Sequence, residues 1–360
     1  MKRIIRSPGS YIQGNGELNH LAEYYKELGS SGAYLIIDSF ICSTYMDSIE
    51  SSFLKHSVPF ESSVFGGQCC QKEIDRHISQ IGSADAVFGI GGGKTLDTAK
   101  AVAFSIHRPV ILVPTAASSD APCSRLAAIY TESGVFDHYL PLTSNPDMII
   151  MDTAVIARAP ARFLMAGIGD ALSTYYEAAA CERSCAVTSA GGRTSPPPKA
   201  LARVCLDTLL SDGLKAKAAA ECQVSTPALE NIVEANTYLS GVAFESGGLA
   251  AAHAIHNGLT LLPETHRLLH GELVAFCTIV QLILENRPLE EIKTILSFCR
   301  ACGLPTRLSD LGLEHADDSR LMEASAASCS GSMANMPFPV TPADVLAALK
   351  AADRVNRELC

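Results

Sequence analysis

The rhythm of apolar and polar positions changes once along the chain. Before residue 150, short and nearly continuous apolar runs at 33–38, 86–90, 110–114 and 147–151 read as buried strands. Polar stretches between them, such as 71–80 and 94–104, carry helical spacing. Strands that alternate with helices predict parallel βαβ units, with helices on both faces of one sheet. Two further runs, 126–130 and 135–139, flank Thr131-Glu-Ser-Gly134 and predict a hairpin inserted in the last unit. Beyond about residue 155 strand signals become sparse. Ala- and Leu-rich segments at 178–180, 216–221, 250–252 and 347–352 replace them, which predicts helices. The expected organisation is an α/β N-terminal domain over 1–155 and an all-α C-terminal domain over 156–360, with the change falling near 152–161. Pro196-Pro197-Pro198 interrupts the helical half. Proline lacks the N–H that a helix interior needs, so this run should precede or open a helix at Lys199.

Bulk properties agree with two domains. The chain has 360 residues, and single cores stop growing near about 250–300. Hydrophobic residues make up 48% and charged residues 18%, an ordinary globular balance. A net charge of -10 argues against nucleic acid and anionic membrane surfaces, both of which call for basic patches. It leaves room for a small anion held by local dipoles. Met1 runs straight into Lys-Arg-Ile-Ile-Arg, without an apolar leader, and no apolar run approaches the roughly 18–20 residues that span a bilayer. A cytoplasmic protein is expected. The thirteen cysteines are odd in number and scattered to Cys360, so they are expected to be reduced core residues. Cys299 and Cys302 form one Cys-x-x-Cys pair, but the second pair that a structural zinc would require is missing.

Four segments carry candidate chemistry. In 86–100 a strand runs into Gly91-Gly92-Gly93, and a helix follows from about Lys94. Glycines let backbone N–H groups approach a ligand closely, and the helix N-terminus adds positive potential, so a phosphate or pyrophosphate would bind there. The spacing is neither Gly-x-Gly-x-x-Gly nor the Walker pattern, and a plain strand-to-helix turn is the alternative. Asp38 ends an earlier strand, where a carboxylate can bind ribose hydroxyls and repel a 2′-phosphate, favouring NAD. The same residue in the same place can simply cap the next helix. Thr115 to Ser124 forms a polar loop at another strand end, and Asp120 there is either a polyol acceptor or a turn residue.

The fourth segment holds four of the ten histidines, His253, His256, His266 and His270, within eighteen residues. Neutral imidazole is the commonest metal ligand, and the alternative is a set of rings each satisfied by backbone carbonyls. His253 and His256, three apart, share one helix face. His270 follows Pro263 and should lie on another helix or its leading turn. Asp170, in Gly167-Ile-Gly-Asp170 at an expected helix start, is either a third ligand or an N-cap. Three ligands of this type leave a coordination position open for substrate.

Together, Gly91-Gly-Gly-Lys-Thr-Leu-Asp-Thr-Ala-Lys100, Asp120-Ala-Pro-Cys-Ser124, Gly167-Ile-Gly-Asp170-Ala, Asn236 to Gly248, His253-Ala-Ile-His-Asn-Gly258 and His270-Gly-Glu272 resemble the glycerol dehydrogenase family. That family is a branch of the group III, metal-dependent alcohol dehydrogenases, and the likeness spans nearly the whole chain. It implies a dehydroquinate-synthase-like fold with the active site in the cleft between the two domains. It also implies Zn2+ on Asp170, His253 and His270, and NAD contacts from Asp38, Gly92, Gly93, Lys94, Thr115 and Ser118. Ser124, Leu126 and Tyr130 would add to the cofactor side. Asp120 would meet the substrate, and His256 would stand near the nicotinamide or substrate as a catalytic neighbour, leaving His266 structural. The implied reaction is oxidation of glycerol at C2 to dihydroxyacetone by a homo-oligomer. Ser118-Ser119 departs from an expected Ser-Thr, and the triple proline replaces an expected alanine-rich segment. Another polyol or alcohol dehydrogenase of the superfamily, iron-loaded or selective for 1,2-diols, is the nearest alternative. A lyase like dehydroquinate synthase would need basic residues that 253–272 lacks apart from Arg267.

Overall fold

The computed structural model describes residues 2–358. Its N-terminal half is a six-stranded sheet in which every pairing is parallel. The strands are β1 (Ser10–Gly14), β2 (Ala33–Ile37), β3 (Phe60–Val64), β4 (Ala86–Gly91), β5 (Val110–Pro114) and β8 (Met148–Asp152), in spatial order β1-β8-β5-β4-β2-β3. Between β5 and β8, strands β6 (Leu126–Tyr130) and β7 (Phe136–Pro141) form the expected antiparallel hairpin, with an irregularity at Ile129/Tyr130.

The continuous apolar runs have a direct cause. Leu35, Ile37, Phe88, Ile90, Ile111 and Val113 pack on one face of the sheet against helices α1 (Leu21–Tyr25) and α2 (Ser39–Lys55), through Leu21, Ala22, Ile49 and Phe53. Tyr34, Ile36, Val87, Leu112, Ile149 and Met151 point the other way. They join α3 (Gln71–Gln80), α4 (Gly93–Ile106) and the helical half in one core. A sheet covered on both faces loses the alternation that marks a half-buried strand.

Two strands were not expected from the sequence, and both lie at sheet edges. The β3 sequence, Phe-Glu-Ser-Ser-Val, is largely exposed and pairs on one side only, so it carries little of the apolar signal that a central strand needs. The other edge, β1, is half-buried throughout.

The C-terminal half holds α5 (Thr153–Arg158), α6 (Ala161–Ser184), α7 (Pro196–Glu221), α8 (Pro227–Glu234), α9 (Ser240–Gly247), α10 (Ala251–Leu259), α11 (His270–Leu284), α12 (Leu289–Cys302), α13 (Asp318–Ser328) and α14 (Pro342–Glu358). A π-helical turn over Ala235–Leu239 joins α8 to α9. An expected boundary between residues 155 and 156 falls inside α5.

Several local expectations need correction. Helix α7 begins at Pro196, not Lys199, because prolines are tolerated in a first turn whose N–H groups have no helical partner. Asp170 lies in the middle of α6 rather than at a helix start, so it is no N-cap. Among the described cysteines eight are buried, but Cys42 and Cys329 are half-buried and Cys185 and Cys222 are exposed. Cys360 lies outside the described residues. Among the described residues, no helix is long and apolar enough to cross a membrane.

Candidate active site between sheet edge and helices

Parallel strands deliver their carboxyl ends to one edge of the sheet, the usual ligand edge of an open α/β fold. β4 sits between β2 and β5, so the residues after these three strands become neighbours. The Asp38 N–H donates to Ile90 O at 2.9 Å, and the Thr115 N–H donates to Gly91 O at 3.1 Å. A Cβ on Gly91 would stand 2.8 Å from the Asp38 Cβ and 2.9 Å from Thr95 Oγ1, so only glycine lets the turn pass here. A Cβ on Gly92 or Gly93 would meet nothing within 4 Å. The start of α4 thus opens onto free space, and no side chain caps it. That opening fits a phosphate. Asp38 does cap α2, accepting from the Phe40 N–H through Oδ1, which leaves Oδ2 available. Lys94 Nζ lies 4.9 Å from the centre of the Tyr130 ring, so the hairpin borders the same opening. Ser124 is buried and donates to Ala121 O at 3.0 Å, which makes it a support of the loop.

A buried staple holds this edge together. Lys100 is fully buried on α4 and donates to Ala121 O at 2.8 Å and Leu126 O at 2.9 Å. Asp97 pairs with it at 3.3 Å and accepts from the Ala128 N–H at 3.0 Å. A buried ammonium is tolerable only when paired and hydrogen-bonded in this way. The result is that the loop carrying Asp120 and the hairpin are tied to the same helix as the glycine turn.

The loop after β5 then crosses to the helical half. Asn236, in the π-helical turn, donates to both Ala117 O and Leu164 O at 3.0 Å. Gly167 of α6 faces Ala117 O and the Asn236 amide so closely that any Cβ would collide. One turn further along α6 is Asp170, whose Oδ2 lies 3.4 Å from the Asp120 N–H. Asp120 Oδ2 accepts from Ser240 Oγ at 2.6 Å, and Ser240 is bonded in turn to Thr174.

Asp170, His253 and His270 converge from α6, α10 and α11. Asp170 Oδ1 lies 3.5 Å from His253 Nε2 and 3.3 Å from His270 Nε2, and all three candidate ligand atoms fall within 4.8 Å of one another. Tetrahedral ligands bonded at about 2.1 Å stand about 3.4 Å apart, so these separations suit one cation. Asp170 Oδ1 is also buried with no hydrogen bond of its own, despite the nearby rings, as an oxygen reserved for an ion would be. Burial alone would raise the Asp170 pKa, but His270 and His253 hold it well below the usual carboxylate range. Burial lowers the His253 pKa, yet the Glu177 and Asp170 carboxylates carry it well above the usual imidazole value. Burial and the adjacent Asp170 charge push Asp120 well above the usual range. A divalent cation would relieve that like-charge contact.

The remaining histidines separate by their partners. His256 Nε2 and His270 Nδ1 are 2.9 Å apart, and His256 Nδ1 lies 3.1 Å from Asn257 Oδ1. Burial and the other two imidazoles hold His256 well below its usual pKa, so it stays neutral. His266 faces the backbone, with Nε2 2.9 Å from Thr260 O. Sequence reasoning gave no role to Glu177, Ser240 or Asn236. Glu177 left a trace, since a carboxylate two helical turns after Asp170 within an apolar helix has to meet something polar.

Residues 8–153 match the family model of the iron-containing alcohol dehydrogenases. The glycerol dehydrogenase of Escherichia coli O6:H1 is 51% identical, with 99% of this chain and 98% of that protein aligned. That of Thermotoga maritima is 49% identical over 97% of this chain and 96% of its own. The crystal structure of glycerol dehydrogenase from Schizosaccharomyces pombe superposes with a TM-score of 0.96 at 40% identity, covering 99% of this chain and 92% of that one. The chain is therefore an oxidoreductase belonging to the iron-containing alcohol dehydrogenase family, within its glycerol dehydrogenase branch.

Proposed function

We propose that the protein oxidises glycerol at C2 to dihydroxyacetone, with NAD+ as hydride acceptor and Zn2+ as the resident metal. The observation that carries this reading is the Asp170, His253 and His270 cluster, with its unpartnered carboxylate oxygen, placed directly beside Asp120. The ion, when bound, supplies Lewis acidity toward a substrate hydroxyl, and NAD+ supplies the two-electron acceptor. Asp170, His253 and His270 would hold the ion.

The other residues position and select. Asp120 is fixed through Oδ2 by Ser240, which leaves Oδ1 to accept from a second substrate hydroxyl. An alcohol without that hydroxyl leaves this half-buried acceptor without its partner, which lowers binding of that alcohol relative to a polyol. With a metal bound at His270 Nε2, the His270 Nδ1–H would donate to His256 Nε2, which lies 2.9 Å away and would orient the ring toward Asp170. Gly92 and Gly93 would receive the pyrophosphate, with Lys94 and Tyr130 beside it. Thr115 and Ser118, on the loop that follows β5, would contact the cofactor between there and the metal.

The test is a substrate panel of glycerol, 1,2-propanediol, ethanol and glycerol 1-phosphate with NAD+, on zinc-loaded and chelator-treated protein, followed by NADH absorbance. Glycerol should lead, and chelation should abolish turnover until zinc is returned. Absence of NADH from glycerol with zinc present, or full turnover after complete metal removal, overturns the reading.

A second expectation concerns Asp38. Asp38→Ser keeps a cap for α2 but removes the charge that would repel a 2′-phosphate. The ratio of kcat/KM for NAD to that for NADP should fall by about 10-fold or more, equal to about 1.4 kcal/mol. An unchanged ratio removes Asp38 from the cofactor site.

A further inference from the structure

Glu177 lies on α6 two turns beyond Asp170 and is completely buried. Its two oxygens do different things. Oε2 is 2.7 Å from His253 Nδ1. Oε1 accepts from the backbone N–H of Ala250 at 2.8 Å and of His253 at 3.0 Å. These two amides belong to the first turn of α10, whose N-cap residue, Ala250, has no side chain able to cap it. The next free amide, of Ala252, is taken by Gln281 Oε1 on α11 at 2.8 Å. At the start of the helix that presents His253, the Ala250, Ala252 and His253 N–H groups are thus bonded from neighbouring helices, and Glu177, which takes two of them, also grips the imidazole.

We propose that Glu177 is a positioning residue of the metal site, fixing His253 with its proton on Nδ1 so that Nε2 is delivered bare toward Asp170 and His270, while anchoring the start of α10. The proposal rests on the metal reading above. A ligand imidazole that donates its other N–H to a carboxylate is fixed in tautomer and orientation, and is made more basic. Glu177 and Asp170 share one face of α6, so a single helix sets both the carboxylate ligand and the orientation of the imidazole beside it. The two carboxylates also direct negative charge toward the place where a divalent cation would sit. His270, by contrast, has a neutral imidazole, His256, behind it.

Two variants separate capping from orientation. In Glu177→Gln the amide oxygen can still accept from the two backbone N–H groups. The NH2 then faces His253 Nδ1, which must become the acceptor, so the ring proton moves to Nε2 and blocks it. Glu177→Ala loses both functions. The measurements are zinc affinity by competition with a chromophoric chelator, and thermal unfolding of the metal-free protein. Glu177→Gln should unfold near the wild-type temperature yet bind zinc about 10–100-fold more weakly. Glu177→Ala should fall in both measurements. Wild-type zinc affinity in Glu177→Ala, or a Glu177→Gln protein that matches wild type in both measurements, overturns the proposal while leaving the proposed function standing. If the wild-type protein itself takes up no zinc, both fall.

Discussion

Gly271→Ala should destroy the metal site without altering any ligand. Gly271 follows His270 in the first turn of α11, and its Cα lies against the backbone of α6. A Cβ there would sit on the carbonyl oxygen of Ala166, far inside contact distance, and 2.9 Å from the Asp170 nitrogen. The reciprocal contact is equally close: a Cβ on Gly169 would run into Gly271 O and the Ala275 methyl, the latter at 3.1 Å. The obstacle is backbone inside a helix, so no rotamer change relieves it. Overpacking of a core costs typically 1–3 kcal/mol, and a clash with main chain belongs at about the top of that range or above. The two helices must separate, which draws His270 away from Asp170. The purified variant should unfold at a lower temperature than wild type and retain little zinc by elemental analysis. A variant with wild-type stability and full zinc content would show that the close crossing of α6 and α11 does not set the site.

Asp170→Asn should cut turnover severely while sparing the fold. The substitution is nearly isosteric, and Asp170 is held within α6 by its backbone, so the fold should survive. What changes is charge. An amide oxygen is a much poorer partner for a divalent cation than a carboxylate, and two imidazoles alone cannot neutralise it. The loss should exceed the roughly 10–100-fold typical of losing an outer partner of a ligand, and kcat/KM with glycerol should fall in step with zinc content. Excess zinc should restore part of the rate if affinity alone is damaged. A variant with normal zinc content and an unchanged kcat would sink the ligand assignment. Together, these two substitutions test whether the site depends on its ligands or also on the helix packing that gathers them.

The sequence and the structure contributed differently. Central strands were legible because both sheet faces are covered, which writes an unbroken apolar run into β2, β4, β5 and β8. The edge strands β1 and β3 were not, since an edge needs little apolar surface. The glycine turn announced itself, because only glycine tolerates the close approach of Asp38 and Thr95. The histidine cluster marked a site but not its membership. His266 meets a carbonyl and His256 backs His270, whereas His253 and His270 turn toward Asp170.

Local chemistry is written in the sequence because a turn, a cap or a ligand type is set by a few adjacent residues. The α/β-then-helical order, the glycine turn and the ligand types were fixed at that level. Which residues meet was decided by tertiary packing. Asp170 and His270 are far apart in sequence, and they come together because Gly169 and Gly271 let the backbones of α6 and α11 touch where side chains would hold them apart. Asn236, Lys100 and Glu177 gained their roles the same way. Each is a polar group whose burial must be compensated, and its partners lie on elements distant in sequence. No local pattern records such a partner, because the hydrogen bond exists only once the helices have packed.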